Sequence, residues 1–240
     1  MAFVRIMVAV TGISFRITMI KIQLAKELAD KVKELQLSCI LCDVEVEAKN
    51  EALWHRITEK VQELNHQLKV EEISQIPAIS ASRKAYKACG KDPARYRLSA
   101  EALLRRVVKR NEIYQVNNVV DALNLVSISS GYSIGGYDFN KIEGHVEFGI
   151  GKMNEPYEGI GRGELNIESM PVFRDRTGAF GTPTSDSVRT SVSDKTQKFL
   201  MIIIDYGAHE GLGKATELAK ELLTEYTNAT NFEFKTVLVS

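Results

Sequence analysis

Cysteine, histidine and tryptophan are scarce in this chain, and each shortage excludes a kind of chemistry. Three cysteines in 240 residues make no disulfide framework and suit a reducing compartment, so the cytoplasm is the expected setting. Cys39 and Cys42 form a C-x-x-C, but they lie in SCILCDVEV, which reads as a buried strand whose positions three apart point to opposite faces. No second cysteine pair exists and no histidine stands at metal-ligand spacing from them, so no metal, redox role or cofactor is expected. Of the four histidines, His55 and His66 fall on a polar helix and His145 and His209 stand isolated. There is no H-E-x-x-H and no G-x-S-x-G, and neither GIGKMNE nor GIGRGE completes a dinucleotide or phosphate-binding loop; both read as hairpin glycines. The longest apolar runs, such as FLMIII at 199–204, are far shorter than the roughly 20 residues a membrane helix needs, so no membrane partner is expected. The opening MAFVRIMVAVTGISF lacks the layout of a signal peptide. Residues 1–18 are therefore either an extra strand or an N-terminal extension, ahead of a single domain over 19–240.

Net charge is absent too: 31 basic residues balance 31 acidic ones. The distribution is uneven, however. Between Arg83 and Tyr114 stand ten basic residues against three acidic ones, a belt that is either a phosphate footprint or the solvated face of a helix. Apolar spacing predicts a helix from about Ile22 to Leu35, the strand SCILCDVEV, and a helix over about 50–67 carrying Trp54, Ile57, Val61 and Leu64. A helix over 78–88 should stop at Gly90. Ser99 can cap AEALLRRVVKR, and NNVVDALNLVSISS should form a helix closed by Gly131. Asn117 and Asn118 are candidate caps there, with Asp121 in the first turn. Beyond Gly131, short apolar stretches cut by Gly, Pro and Asp suggest sheet and hairpins, with one late helix, GKATELAKELLTEYT, and a closing strand, FEFKTVLV. The order argues α+β rather than repeated βαβ units.

The stretch AYKACGKDPARYRLSAEALLRRVVKRNEIYQVNNVVDALNLVSISSGYSIGGYDFNKIEG, followed by VFRDRTGAFGTPTSDSVRT, resembles the tRNA-editing module of the bacterial phenylalanyl-tRNA synthetase beta subunit, and free-standing proteins built from that module alone. The resemblance runs from about Met19 to the C-terminus and is most specific between Tyr86 and Asp138. It implies an α+β domain in which helices pack on a mixed sheet sandwich, with an aminoacyl pocket between elements and tRNA or aminoacyl-tRNA as partner. No part of the synthetase's amino-acid-activating machinery is matched. The family's pocket asparagine corresponds to Asn124, but the residue before it, often Thr, is Leu123. Where the synthetases carry a His, eleven positions beyond Asn124, this chain has Gly135. The Glu that recognises a tyrosine hydroxyl has no counterpart near 186–190, where Asp186 is the nearest acid.

GTPTSDSVRTSV at 181–192 aligns with the loop that closes over the family's pocket. As a pocket wall, Asp186 would fix an amino group, Arg189 a carboxylate or phosphate, and Ser187 or Thr190 a carbonyl. As a plain turn, Ser and Asp would cap a short helical segment and Arg189 would pair with Asp186 or Asp138. The expected tRNA contacts are Arg95, Arg97, Arg105, Arg106, Lys109 and Arg110. Three functions follow: an aminoacyl-tRNA deacylase or binder acting in trans, a non-catalytic binder of a free amino acid or small metabolite, and a tRNA-binding accessory subunit.

Overall fold

The computed structural model describes residues 21–110 and 113–239; residues 1–18, read above as an extra strand or extension, lie outside the described residues. The chain folds into three layers, two sheets and a cover of helices. Strand β1 (Ile22–Leu24) leads into a short helix α1 (Lys26–Lys31), followed by β2 (Gln36–Asp43). Four helices come next: α2 (Glu51–Gln67), α3 (Pro77–Cys89), α4 (Ser99–Val108) and α5 (Asn118–Ser130). The second half holds β3 (Ser133–Asp138), β4 (Val146–Ile150), a ribbon of β5 (Glu158–Gly159) and β6 (Gly163–Glu164), β7 (Pro171–Arg174), β8 (Ala179–Gly181), β9 (Lys198–Asp205), α6 (Leu212–Thr227) and β10 (Thr230–Leu238). One sheet has the order β1-β4-β7-β8, with β1 and β4 parallel and the other pairs antiparallel; the other is antiparallel throughout, in the order β10-β2-β9-β3. The architecture is α+β with a mixed sheet, as the sequence implied.

The two faces of the second sheet explain its unbroken apolar strands. Leu37, Cys39 and Leu41 of β2 and Leu200, Ile202 and Ile204 of β9 point to the first sheet, while Ile40, Cys42, Met201 and Ile203 point to the helices. A strand buried on both faces has no polar side to alternate with. Cys39 and Cys42 accordingly lie in different cores, and burial pushes both thiols up to about 12. Among the described residues, no group of three or more His, Cys, Asp and Glu is placed to hold a metal, and no helix is long and apolar enough to cross a membrane.

Three local expectations need correction. The helix expected from Ile22 to Leu35 is a strand and a six-residue helix, because β1 pairs in parallel with β4, Ile22 opposite Val146; a sheet partner overrides helical spacing, although Leu28, Val32 and Leu35 are buried as that spacing required. Ser99 is the first residue of α4 and caps nothing with its side chain; its N–H donates to Pro183 O at 2.8 Å. Asn117 does cap α5, accepting from Val120 N at 2.9 Å, but Asn118 does not. Its amide bonds Glu47 N, Glu45 O and Tyr226 O, tying α5 to the chain after β2 and to the end of α6.

Candidate functional site

The polar loop 181–192 is held from every side. Thr182 Oγ1 accepts from Thr184 N and Ser185 N and donates to Ser185 O. Tyr86 of α3 bonds Thr184 through their hydroxyls at 2.9 Å, and Tyr157 donates to Ser185 O at 2.6 Å. Pro183 O receives Ser99 N of α4, Asp186 O receives Ile160 N of the turn joining β5 to β6, and Ser187 N donates to Phe180 O of β8. The loop therefore links α3, α4, the β5–β6 ribbon and β8. Ser187 caps a 3-10 turn at Val188–Thr190, accepting from Arg189 N, and Thr190 is fully buried with its hydroxyl donating to Phe180 O at 3.4 Å.

The loop's two charges do not pair with each other and point apart. Asp186 precedes the 3-10 turn and points inward, where its Oδ2 accepts from Gly136 N of β3 at 3.2 Å. Burial raises its carboxyl to about 7, against the opposing pull of that N–H and of the Tyr137 hydroxyl. Arg189 points to the opposite side and forks onto Asp175 at 2.9 and 3.1 Å, with further bonds to Gly178 O and Lys141 O. Its partner is thus Asp175, neither Asp186 nor Asp138. Burial raises the Asp175 carboxyl, but hydrogen bonds from Arg189 and from the N–H groups of Glu143 and Thr177 outweigh it and hold it below the ordinary range.

Beside the inward face of the loop lies Tyr137 of β3, with no exposed surface. Its ring meets Phe180 edge-on at 4.9 Å and Phe173 at 6.2 Å. The phenol lies along β3 over Gly135, and a Cβ at either Gly135 or Gly181 would fall inside the contact distance of its hydroxyl. Gly135 has no positive φ; it is glycine for space, not for backbone shape. On the other face of β3, a Cβ at Gly136 would stand 2.5 Å from Leu123 Cδ1. Of the two departures from the family's pattern, Leu123 thus packs against Gly136 and Gly135 leaves the space that the Tyr137 phenol fills. Tyr137 was missed in the sequence, although a double glycine next to an aromatic in a strand is a signal of close approach. Asn124 is half-buried on α5, and its side chain makes no hydrogen bond among the described residues.

On the outward side, an open cleft of about 1130 Å³ runs between residues 154–158, the β5–β6 ribbon, the β7–β8 turn and 187–189. Ser187 and Arg189 line it; Asn124, Gly135, Asp186 and Thr190 do not. Its charged lining is three glutamates, Glu155, Glu158 and Glu164, against Arg189. Glu155 is itself forked onto Arg174 at 2.7 and 3.0 Å.

The basic belt is partly an internal device. Glu101 of α4 is buried, and Arg83 and Arg105 bond it at 2.8 and 2.9 Å, with Arg97 at 4.0 Å. Lys91 is buried and donates to Asn166 O and Glu168 O. Arg106 stacks over Tyr114, 4.3 Å from the ring centre. Arg95, Arg97, Lys109 and Arg110 are exposed.

A family model described as the B3/4 domain matches residues 81–226, which span both the belt and the polar loop. The chain belongs to the B3/4 domain family. This domain is found in the phenylalanyl-tRNA synthetase beta subunit. Among solved structures, an N-terminal fragment of the phenylalanyl-tRNA synthetase beta subunit from Pyrococcus horikoshii is similar over 91% of this chain and 50% of the fragment, at 13% identity and a TM-score of 0.47. The chain thus spans half the length of that fragment. No curated protein matches it in sequence.

Proposed function

We propose that this B3/4 domain binds tRNA or aminoacyl-tRNA and acts in trans as an editing-like module in the cytoplasm, hydrolysing the ester of a misacylated tRNA. One observation carries the reading: the family match covers both candidate surfaces, and Ser99 N to Pro183 O joins them directly. Exposed Arg95, Arg97, Lys109 and Arg110 would meet phosphates, and the cleft beside Ser187 would receive the aminoacyl end. Ester hydrolysis asks little of a protein beyond a held carbonyl, an oriented water and donors for the developing oxyanion. Ser187 Oγ is a candidate donor in the cleft wall. The test is a panel of aminoacyl-tRNAs, with ester hydrolysis followed with and without protein, and tRNA affinity measured across salt. At least one tRNA should lose its amino acid faster, and affinity should fall steeply with salt as counterions are released. Unchanged hydrolysis across the whole panel with salt-insensitive binding would remove this function.

A second reading, a non-catalytic binder of a free amino acid, draws on a different observation. With Arg189 forked onto Asp175, the cleft presents glutamates rather than free cations. Such walls favour an ammonium group over a phosphate. Calorimetric titration with free amino acids separates the readings, because binding of one of them with no affinity for tRNA supports only the second.

A further inference from the structure

The space between the edge strands β3 and β8 has the dimensions of a phenol and is filled by one. Its walls are two glycines, Gly135 and Gly181, whose missing side chains leave room for the Tyr137 hydroxyl, and two aromatic rings, Phe173 and Phe180. At its inner end the Tyr137 hydroxyl and Asp186 Oδ1 are both out of contact with solvent, and neither makes a hydrogen bond of ordinary geometry among the described residues. They are close enough to couple electrostatically, with the carboxyl raising the phenol and the phenol lowering the carboxyl. A buried donor and acceptor left without good partners both weaken the folded state. Packing alone gives no reason to retain them, since a phenylalanine ring would fill nearly the same volume without the hydroxyl.

We propose that Tyr137 is the built-in occupant of a phenol-binding pocket and so determines specificity: while it is in place the pocket admits no aromatic side chain, and when it is removed the same walls bind a free phenol. The inference does not depend on ester hydrolysis or on tRNA binding. Gly135 and Gly181 supply the space, Phe173 and Phe180 the apolar walls, and Asp186 with Gly136 the polar end. Any ligand reaching the domain with Tyr137 seated is confined to the outward cleft beside Ser187.

The probe is p-cresol, which carries the tyrosine side chain, with toluene as the control lacking the hydroxyl. In Tyr137→Ala, p-cresol should raise the melting temperature and bind about tenfold more tightly than toluene, the worth of a hydrogen bond to a carboxyl group. That preference should disappear in Tyr137→Ala combined with Asp186→Asn. Wild type should bind neither compound at this site. If Tyr137→Ala does not fold alone, refolding in saturating p-cresol supplies the readout, because a ligand that binds only the folded state pulls folding forward. Three results overturn the proposal: a folded Tyr137→Ala that responds to neither compound, a variant that stays unfolded with p-cresol present, or a wild type that binds p-cresol as tightly as the variant.

Discussion

The basic segment 83–110 and the polar loop 181–192 both look like surfaces waiting for a partner, yet they dispose of their charge differently. In the basic segment, Arg83 and Arg105 converge on one buried acid, Glu101, Lys91 is buried against two carbonyls, and Arg95, Arg97, Lys109 and Arg110 stay at the surface. In the loop the two charges part: Arg189 is gripped by a buried acid outside the loop, and Asp186 turns inward with no cation beside it. The comparison teaches that a charge is available to a ligand only after internal pairing has been met. By that measure the belt keeps Arg95, Arg97, Lys109 and Arg110 and the loop keeps only Ser187 for the cleft, because the Asp186 carboxyl is turned away from it.

The largest break in this contrast should come at the hub. Glu101→Ala leaves Arg83 and Arg105, each largely covered, without their carboxylate, and removing one partner of a buried ion pair costs about 3–5 kcal/mol. Chemical denaturation should show that loss, with the slope against denaturant unchanged. A variant as stable as wild type would mean that the arginines re-form their bonds with water and that the belt is a free surface after all.

The next effect belongs to the inward side of the loop. Gly135→His, the residue of the synthetases, should destabilise by about 1–3 kcal/mol or more, because its Cβ alone collides with the Tyr137 phenol and the core there is full. Combining it with Tyr137→Ala should recover part of the loss, and the coupling in a double-mutant cycle measures how far the two side chains compete for one space. Simple additivity would separate Gly135 from Tyr137 and weaken the picture of a filled pocket.

That competition shows where the sequence stops being legible. Helices α2, α3, α5 and α6 were readable from their own apolar period and stops, such as Gly90 and Gly131 in left-handed conformations at φ 93° and 79°, while β2 was readable from an unbroken apolar run and β10 from alternation. The strand β1 was not, because three residues hold no period of their own and their partner in β4 is distant in the chain. Within the candidate site, the loop was found from its composition, but the directions of Asp186 and Arg189 were not. They depend on Asp175 and Gly136, which the fold brings to the loop from elsewhere. Gly135 was visible as an absence. What fills the absence became visible only with β8 beside β3, since Tyr137 is covered by Gly181 as much as by its own strand.

Asp186 gives a smaller effect with a definite sign. Its carboxyl rises from an ordinary 3.8 to about 7 in the folded protein, so the folded state holds the proton more tightly than the unfolded chain. The stability this contributes is fully present below about pH 4 and is lost as pH rises through about 7. Asp186→Asn is neutral throughout and escapes that loss. Melting temperatures of the two proteins should therefore diverge from about pH 4 to about pH 7 and stay apart above it, with the variant the more stable. A variant that melts earlier than wild type at the alkaline end of that range would show that the ionised carboxylate holds the loop through its bond from Gly136.

The smallest effect on stability should come from the belt's free cations, where an effect on binding is expected instead. Lys109 and Arg110 are exposed at the end of α4 and form no ion pair among the described residues. Their charge helps the helix dipole by a few tenths of a kcal/mol, so Lys109→Ala with Arg110→Ala should unfold almost as wild type does. If tRNA phosphates lie against this end of α4, affinity should fall and the slope of log affinity against log salt should flatten by about 1–2, one unit or slightly less for each phosphate no longer neutralised. The same pair of changes should leave any binding of free amino acids untouched, because the outward cleft is lined by other elements. A full salt slope in the double variant would remove the end of α4 from the interface and leave Arg95 and Arg97 to meet the phosphates. Loss of amino-acid binding alongside tRNA binding would instead mean that the helix positions the loop, through the bond from Ser99 to Pro183 at its opposite end.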